Sequence, residues 1–186
     1  MFLFLWAGAL YCVAAFIFAR QPSRAVWREL WAWHAVTWQN MRPILLRFIL
    51  AAVGMVIFTW LYDPDRLFGL LHTRPDIIPR IMVFYPVLSA LPQEFIFCSF
   101  FFWRYADFFK TPRGRVLASA VVFAYGHVLF INPVAPPLSF IAGLIFAQTF
   151  NKTKSLALVT IEHGLYGNAL FLVGLGWYFY GGALSP

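Results

Sequence analysis

Residues 43–62 read PILLRFILAAVGMVIFTWLY, a run of 20 residues whose only charged side chain is Arg47. At about 1.5 Å per residue, an α-helix of this length crosses the roughly 30 Å hydrocarbon core of a bilayer. The run therefore predicts a membrane-spanning helix. It decides the fold class, and the same criterion divides the rest of the chain.

The whole chain shares this apolar character. Of its 186 residues, 62% are hydrophobic and only 11% are charged, whereas a soluble domain carries about 25% charged residues. We therefore predict an all-α polytopic transmembrane helix bundle that forms a single integral membrane domain over residues 1–186, with a catalytic-like core at about 81–180. Apolar runs predict about six spans, at residues 2–19, 43–62, 81–103, 116–131, 138–150 and 156–180.

The segment between the first two spans, residues 21–42, is too polar to cross a membrane. Trp27, Trp31 and Trp38 fall near one face of a helix here, and Arg24 and Arg28 are interleaved with them. Tryptophan on one face and arginine on another is typical of an amphipathic helix that lies in the membrane interface. We predict such an interfacial helix in the N-terminal half; the alternative is an element that gates substrate entry.

The basic residues, which give a net charge of +7, predict an orientation. If the N-terminus is outside, the inside links hold ten Lys and Arg residues and the outside links hold three, with Arg47 left within a span. This bias follows the positive-inside rule. We predict an integral protein of a bacterial inner (plasma) membrane with its N-terminus outside. The charge is expected to contact membrane lipids, and no nucleic-acid partner is expected.

Four ionisable side chains fall at membrane depth: Glu94, His127, Glu162 and His163. Charged groups are costly there and usually face a polar cavity and one another. Glu94 lies about 21 Å from the outer end of its span, while His127 and His163 lie about 18 Å and 12 Å from the inner ends of theirs. These heights predict that the three side chains form one buried polar site.

A glutamate and two histidines can carry out hydrolysis. A carboxylate beside a neutral histidine can take a proton from water, and a second histidine with an amide such as Asn168 can donate hydrogen bonds to an oxyanion. Glu94, His127 and His163 would also be the ligands if zinc bound. The His-Glu-x-x-His motif of zinc proteases is absent from the sequence, so zinc is not favoured and no cofactor is expected.

Three short motifs follow one another along the chain: QEFIFC at 93–98, FAYGH at 123–127 and HGLYGN at 163–168. They resemble the three motifs of the CAAX protease and bacteriocin-processing (CPBP, or ABI) family of intramembrane proteases, which read Glu-Glu-x-x-x-Arg, Phe-x-x-x-His and His-x-x-x-Asn or Asp. Gln93 replaces the first glutamate, Cys98 replaces the arginine, and Asn168 stands one residue later than usual. The third motif and the aromatic, glycine-rich tail resemble small members that process C-terminal sorting tails.

The resemblance implies a glutamate-type endopeptidase that hydrolyses a peptide bond of a membrane-anchored or exported protein. Two alternatives remain open: an inactive membrane scaffold or immunity protein on the same fold, and a small proton-linked transporter subunit. The catalytic residues implied are Glu94, His127, His163 and Asn168, with Gln93, Glu162 and Arg104 as supporting residues.

Overall fold

The computed structural model describes residues 2–21 and 23–179. This part of the chain is helical and contains no β-strand. We number its helices α1 to α8, where α5 is one continuous helical segment that includes two π-helical stretches. Their bounds are α1 Phe2–Arg20, α2 Arg24–Trp31, α3 Trp38–Tyr62, α4 Gly69–Thr73, α5 78–104, α6 Pro112–His127, α7 Ala135–Thr153 and α8 Leu156–Leu172.

The predicted all-α membrane helix bundle is confirmed, since α1, α3, α5, α6, α7 and α8 coincide with the six apolar runs. Among the described residues, three segments are long and apolar enough to cross a membrane: Leu3–Arg20, Trp38–Tyr62 and Pro75–Arg104. Leu156–Leu172 is a shorter apolar helix. The count of six spans therefore stays a prediction. Tyr180, near which the sixth run was expected to end, lies outside the described residues.

The segment between α1 and α3 is not one helix. Ala32 takes a left-handed conformation, with φ 43°, and ends α2. Thr37 then caps α3, and its hydroxyl accepts a hydrogen bond from the first turn of that helix. Trp38 is consequently the first residue of α3, so the prediction that it shares a helical face with the two tryptophans of α2 is wrong. The amphipathic helix is confined to α2.

The α5 segment departs from α-helical geometry over two π-helical stretches, Pro86–Ala90 and Phe95–Phe100. Proline accounts for part of this, because it lacks the N–H that an α-helix needs at each position. Pro92 cannot bond the carbonyl of Leu88, four residues earlier. The indole N–H of Trp6, from α1, donates to that carbonyl instead, at 3.1 Å. A lipid environment offers no water to satisfy such a group, so a neighbouring helix has to do so.

The two ends of the bundle are defined by contacts between distant links. At one end, Arg66 of the link after α3 pairs with Asp63 at 2.7 Å, and its guanidinium stacks 3.9 Å from the ring centre of Trp177. At the other end, the hydroxyl of Ser155 donates to the carbonyl of Trp31 at 3.1 Å, which ties the α7–α8 turn to α2. Each pairing joins links that the predicted topology assigns to the same side of the membrane.

Close packing of the helices places an aromatic core around the centre of α8. A Cβ on Gly143 of α7 would lie 3.0 Å from the Cα of Ala120 on α6, so these two helices approach through small residues. Phe123 of α6 and Phe146 of α7 then reach the core, with ring centres 6.2 Å apart. Both rings contact His163 of α8, and they form one wall of the candidate site.

Candidate active site

Glu94 and His163 form a direct contact inside the bundle. Oε1 of Glu94 lies 2.7 Å from Nδ1 of His163, and the two residues are 1% and 5% exposed. An ionised carboxylate can only accept hydrogen bonds, so in that state Nδ1 carries the proton and donates it. The second carboxylate oxygen, Oε2, is buried and has no hydrogen-bond partner among the described residues. Glu94 therefore keeps a free acceptor atom.

The other ring nitrogen of His163 is also occupied. Nε2 lies 3.0 Å from the hydroxyl of Tyr85, which donates to it when Nδ1 carries the imidazole proton. The imidazole stacks on Phe146 with ring centres 4.5 Å apart and an interplanar angle of 18°. His163 is thus held by two hydrogen bonds and one ring face, which fixes its orientation beside Glu94.

Tyr85 was not among the residues predicted from the sequence. It precedes Glu94 by nine positions, and at 3.6 residues per turn residues nine apart lie on opposite sides of an α-helix. The π-helical stretch Pro86–Ala90 lies between the two residues. A π-helical turn is wider and rotates less per residue, so Tyr85 is turned towards the face that carries Glu94. In the sequence, a tyrosine nine positions before a glutamate therefore does not indicate that the two side chains share a helical face.

Gly167 of α8 provides the space that Tyr85 occupies. A Cβ on this glycine would overlap the Tyr85 ring at Cε1, Cζ and the hydroxyl oxygen. Gly167 stands four residues after His163, and residues four apart lie on the same face of a helix. The missing side chain therefore lets the tyrosine ring lie against α8 and direct its hydroxyl at the imidazole.

His127 lies at the end of α6 and makes no hydrogen bond to Glu94 or His163. Its Nδ1 lies 2.7 Å from the carbonyl of Phe123. A carbonyl can only accept, so Nδ1 carries the proton, and Nε2 of the neutral ring is an acceptor. The ring of Phe123 contacts both imidazoles, with centres 4.5 Å from His127 and 5.8 Å from His163. His127 also contacts Phe179, with ring centres 5.8 Å apart.

Asn168 satisfies a backbone group in this structure. Pro86 has no N–H to bond the carbonyl of Met82, and Nδ2 of Asn168 donates to that carbonyl at 3.2 Å. The side-chain oxygen Oδ1 is buried without a partner. The oxyanion role predicted for His163 and Asn168 remains a prediction, since the observed donors of both side chains point at other groups.

The three supporting residues lie in three different places. Gln93 donates to the hydroxyl of Ser89 at 2.9 Å and leaves its Oε1 buried without a partner. Arg104 is exposed at the end of α5, with its guanidinium 5.7 Å from the ring centre of Tyr105. The third, Glu162, forms a separate ion pair.

That ion pair links three helices. Arg47 Nη2, from α3, lies 2.9 Å from Oε1 of the fully buried Glu162 and 2.9 Å from the hydroxyl of Thr149 on α7. Removing either charge would leave the other one uncompensated in the bundle. Glu162 immediately precedes His163, so the pair also anchors the part of α8 that carries the histidine. In the sequence Arg47 stands as a lone charge within a span, and no pattern there identifies its partner.

The described residues contain no group of three or more His, Cys, Asp or Glu side chains that could hold a metal ion. The zinc ligands considered from the sequence are Glu94, His127 and His163. Of these, the first and last are joined by a hydrogen bond, and His127 has its own backbone partner. The expectation that the protein needs no cofactor stays a prediction.

A comparison with known protein families identifies the family to which the helices around this site belong. The model of the family described as Type II CAAX prenyl endopeptidase Rce1-like matches residues 74–169. The chain belongs to this family. The Rce1-like match covers all of α5, α6 and α7 and most of α8. It includes all three motifs noted in the sequence, at 93–98, 123–127 and 163–168.

Membership of the Rce1-like family establishes the general class of the protein. It is an integral membrane protein of a CAAX protease-like endopeptidase family, whose members act on protein substrates in a membrane. Searches of curated proteins and of solved structures gave no significant match.

Proposed function

We propose that this Rce1-like protein is an active intramembrane endopeptidase in which Glu94 activates the water that hydrolyses a peptide bond. The observation that carries this proposal is the buried 2.7 Å contact between Glu94 and His163. The contact directs one carboxylate oxygen at the imidazole, and the other, Oε2, is buried without a hydrogen-bond partner among the described residues. A carboxylate held in this way suits general base catalysis, which contributes typically 10²–10⁴-fold.

The proposed reaction proceeds in two steps. Oε2 of Glu94 takes a proton from water, and the hydroxide oxygen forms a bond to the carbonyl carbon of the substrate. The tetrahedral intermediate then loses its C–N bond, and the leaving amine receives the proton that Glu94 holds. The free Nε2 of His127 is a second acceptor that can orient the water. His163 and Tyr85 act as positioning residues that keep Glu94 in place.

The substrate we propose is a membrane-anchored protein or peptide, such as the CAAX prenyl substrate named in the family's description or a C-terminal sorting tail. Glu94 is only 1% exposed. This burial supports the proposal that the substrate peptide reaches the site from within the membrane. We further propose a bacterial inner membrane as the location, with the N-terminus outside.

The test is cleavage of membrane-anchored candidate substrates by the purified full chain in lipid nanodiscs, followed by mass spectrometry. We expect Glu94→Gln to lower the cleavage rate at least about 100-fold, because an amide cannot accept the proton. Gln93→Ala tests the adjacent position and is expected to keep most activity, because the Gln93 amide donates to Ser89 and not to Glu94 or His163. Loss of cleavage in Gln93→Ala with activity retained in Glu94→Gln would show that Glu94 is not the base.

A second function is favoured by one observation: Gln93 and Cys98 stand where the first family motif has a glutamate and an arginine. A chain that lacks these groups could act as an inactive scaffold on the same fold. No detectable cleavage by the folded parent protein, with all candidate substrates, would favour the scaffold over the protease.

A further inference from the structure

A cavity that is open to the surface lies away from Glu94, at the end of the bundle formed by α2 and the α7–α8 turn. Its volume is about 270 Å³, and it lies between α1, α2, α5, α6 and α7. Its apolar wall includes Phe16, Val26, Phe102 and Trp103. None of its lining residues hydrogen bonds to Glu94 or His163, so this cavity is a separate feature of the molecule.

The cavity wall carries an excess of positive charge. Arg20, Arg115 and Lys154 line it, together with a single carboxylate, Glu29. Within residues 2–21 and 23–179, none of these cations lies within ion-pair distance of a carboxylate. Burial, and then the charge of Arg115, lower the pKa of the Lys154 ammonium. Arg115 and Lys154 thus repel each other, and none of the three cations pairs directly with the single carboxylate of this wall.

Unused hydrogen-bond donors face the same space. Ser99 lines the cavity, is only 4% exposed, and its hydroxyl has no partner among the described residues. The Nε of Arg115 is likewise buried without a partner. Buried polar groups without partners are uncommon, and each calls for a ligand or another explanation. The free Ser99 hydroxyl and three cations, one of which has an unused Nε donor, suit an anion with several acceptor oxygens.

We propose that this cavity binds a phosphate group. A phosphate offers several acceptor oxygens for Ser99 and Arg115 and a negative charge for Arg20 and Lys154. Two sources supply this chemistry, an anionic phospholipid headgroup and free inorganic phosphate. The apolar part of the wall fits the acyl and glycerol region of a lipid, and clusters of basic residues at helix ends attract anionic lipids. The proposal does not depend on the proteolytic chemistry of Glu94.

The test measures lipid binding to the purified full chain in detergent by native mass spectrometry. The probes are dioctanoyl phosphatidylglycerol, which carries an anionic phosphate group, and dioctanoylglycerol, which lacks that group. We expect phosphatidylglycerol to bind at least tenfold more tightly. In the double variant Arg115→Gln, Lys154→Gln, its affinity should fall by about 25-fold, or about fivefold for each cation. Lys152→Gln is the matched control, because Lys152 is exposed two residues away and is not part of the cavity wall.

Inorganic phosphate distinguishes the two sources. Displacement of phosphatidylglycerol by millimolar phosphate would indicate a site for the free ion, and retention of the lipid would indicate a headgroup site. Equal binding of the two lipids, or equal loss in Lys152→Gln and in the double variant, would overturn the proposal. If the double variant unfolds, the exposed Lys154→Gln alone is used, with an expected loss of about fivefold.

Discussion

At the scale of single residues, His163 connects the proposed base to the rest of the bundle. It contacts Glu94 through one nitrogen and Tyr85 through the other, and Phe146 covers one face of its ring. Hydrogen bonds at both nitrogens select one tautomer and one orientation. The carboxylate is therefore positioned by a neighbour that is itself fixed.

This chain of contacts predicts the effect of removing the Tyr85 hydroxyl. In Tyr85→Phe, the imidazole loses one hydrogen bond, so we expect about a tenfold lower cleavage rate and about 1 kcal/mol lower stability. Tyr125→Phe removes a hydroxyl that is exposed on α6 and should change neither property. The measurements are the cleavage rate and the thermal unfolding midpoint in detergent. Parent-like activity in Tyr85→Phe would show that the tyrosine does not position the site.

At the scale of helices, the contact between α5 and α8 depends on one missing side chain. Replacing Gly by Ala within an ordinary helix is favourable by up to about 1 kcal/mol. At Gly167 the added methyl group would overlap the Tyr85 ring, and overpacking costs about 1–3 kcal/mol. The two positions Gly167 and Gly54 therefore give opposite expectations, because a Cβ on Gly54 would meet nothing within 4 Å.

We predict that Gly167→Ala lowers both stability and cleavage rate, because Tyr85 must move away from His163. Gly54→Ala should leave the cleavage rate unchanged and keep or slightly raise the unfolding midpoint. Thermal unfolding in detergent and the cleavage assay measure these changes. A Gly167→Ala protein as stable and active as the Gly54→Ala control would contradict the close contact between Tyr85 and α8.

The same contact explains what the sequence can predict here and what it cannot. Glu94 and His163 stand out in the sequence because ionisable groups at membrane depth are rare. Tyr85 does not, since tyrosine is common in apolar helices, and its position depends on a π-helical stretch that changes the helical phase. Trp38 was misassigned for a related reason: a single left-handed residue, Ala32, broke the periodicity on which the prediction relied.

At the scale of the whole molecule, orientation is the property that basic residues predict most directly. The two ends of the bundle can be distinguished by the exposed residues Arg74, in the link after α3, and Lys152, near the end of α7. The native cysteines, Cys12 and Cys98, are buried and should not compete for a labelling reagent. These positions allow a matched test of orientation.

We predict that a membrane-impermeant maleimide labels Arg74→Cys in intact cells. The matched variant Lys152→Cys should be labelled only after the membrane is permeabilised, because positively charged links are retained inside. Labelling is read as a mass shift on the purified protein. The reverse pattern would place the N-terminus inside the cell and require the opposite orientation for every span.

Side chains of other helices donate hydrogen bonds to backbone carbonyls of α5. This has a consequence for the order in which the helices are assembled during synthesis. Trp6 has already left the ribosome when α5 is made, but Ser119, which donates to the Phe97 carbonyl at 2.7 Å, and Asn168 have not. Until those later helices arrive, two backbone carbonyls of α5 lack their final donors within a solvent that supplies none. We therefore expect α5 to reach its final shape only after residue 168 has entered the membrane, so the proposed catalytic glutamate is held in place last.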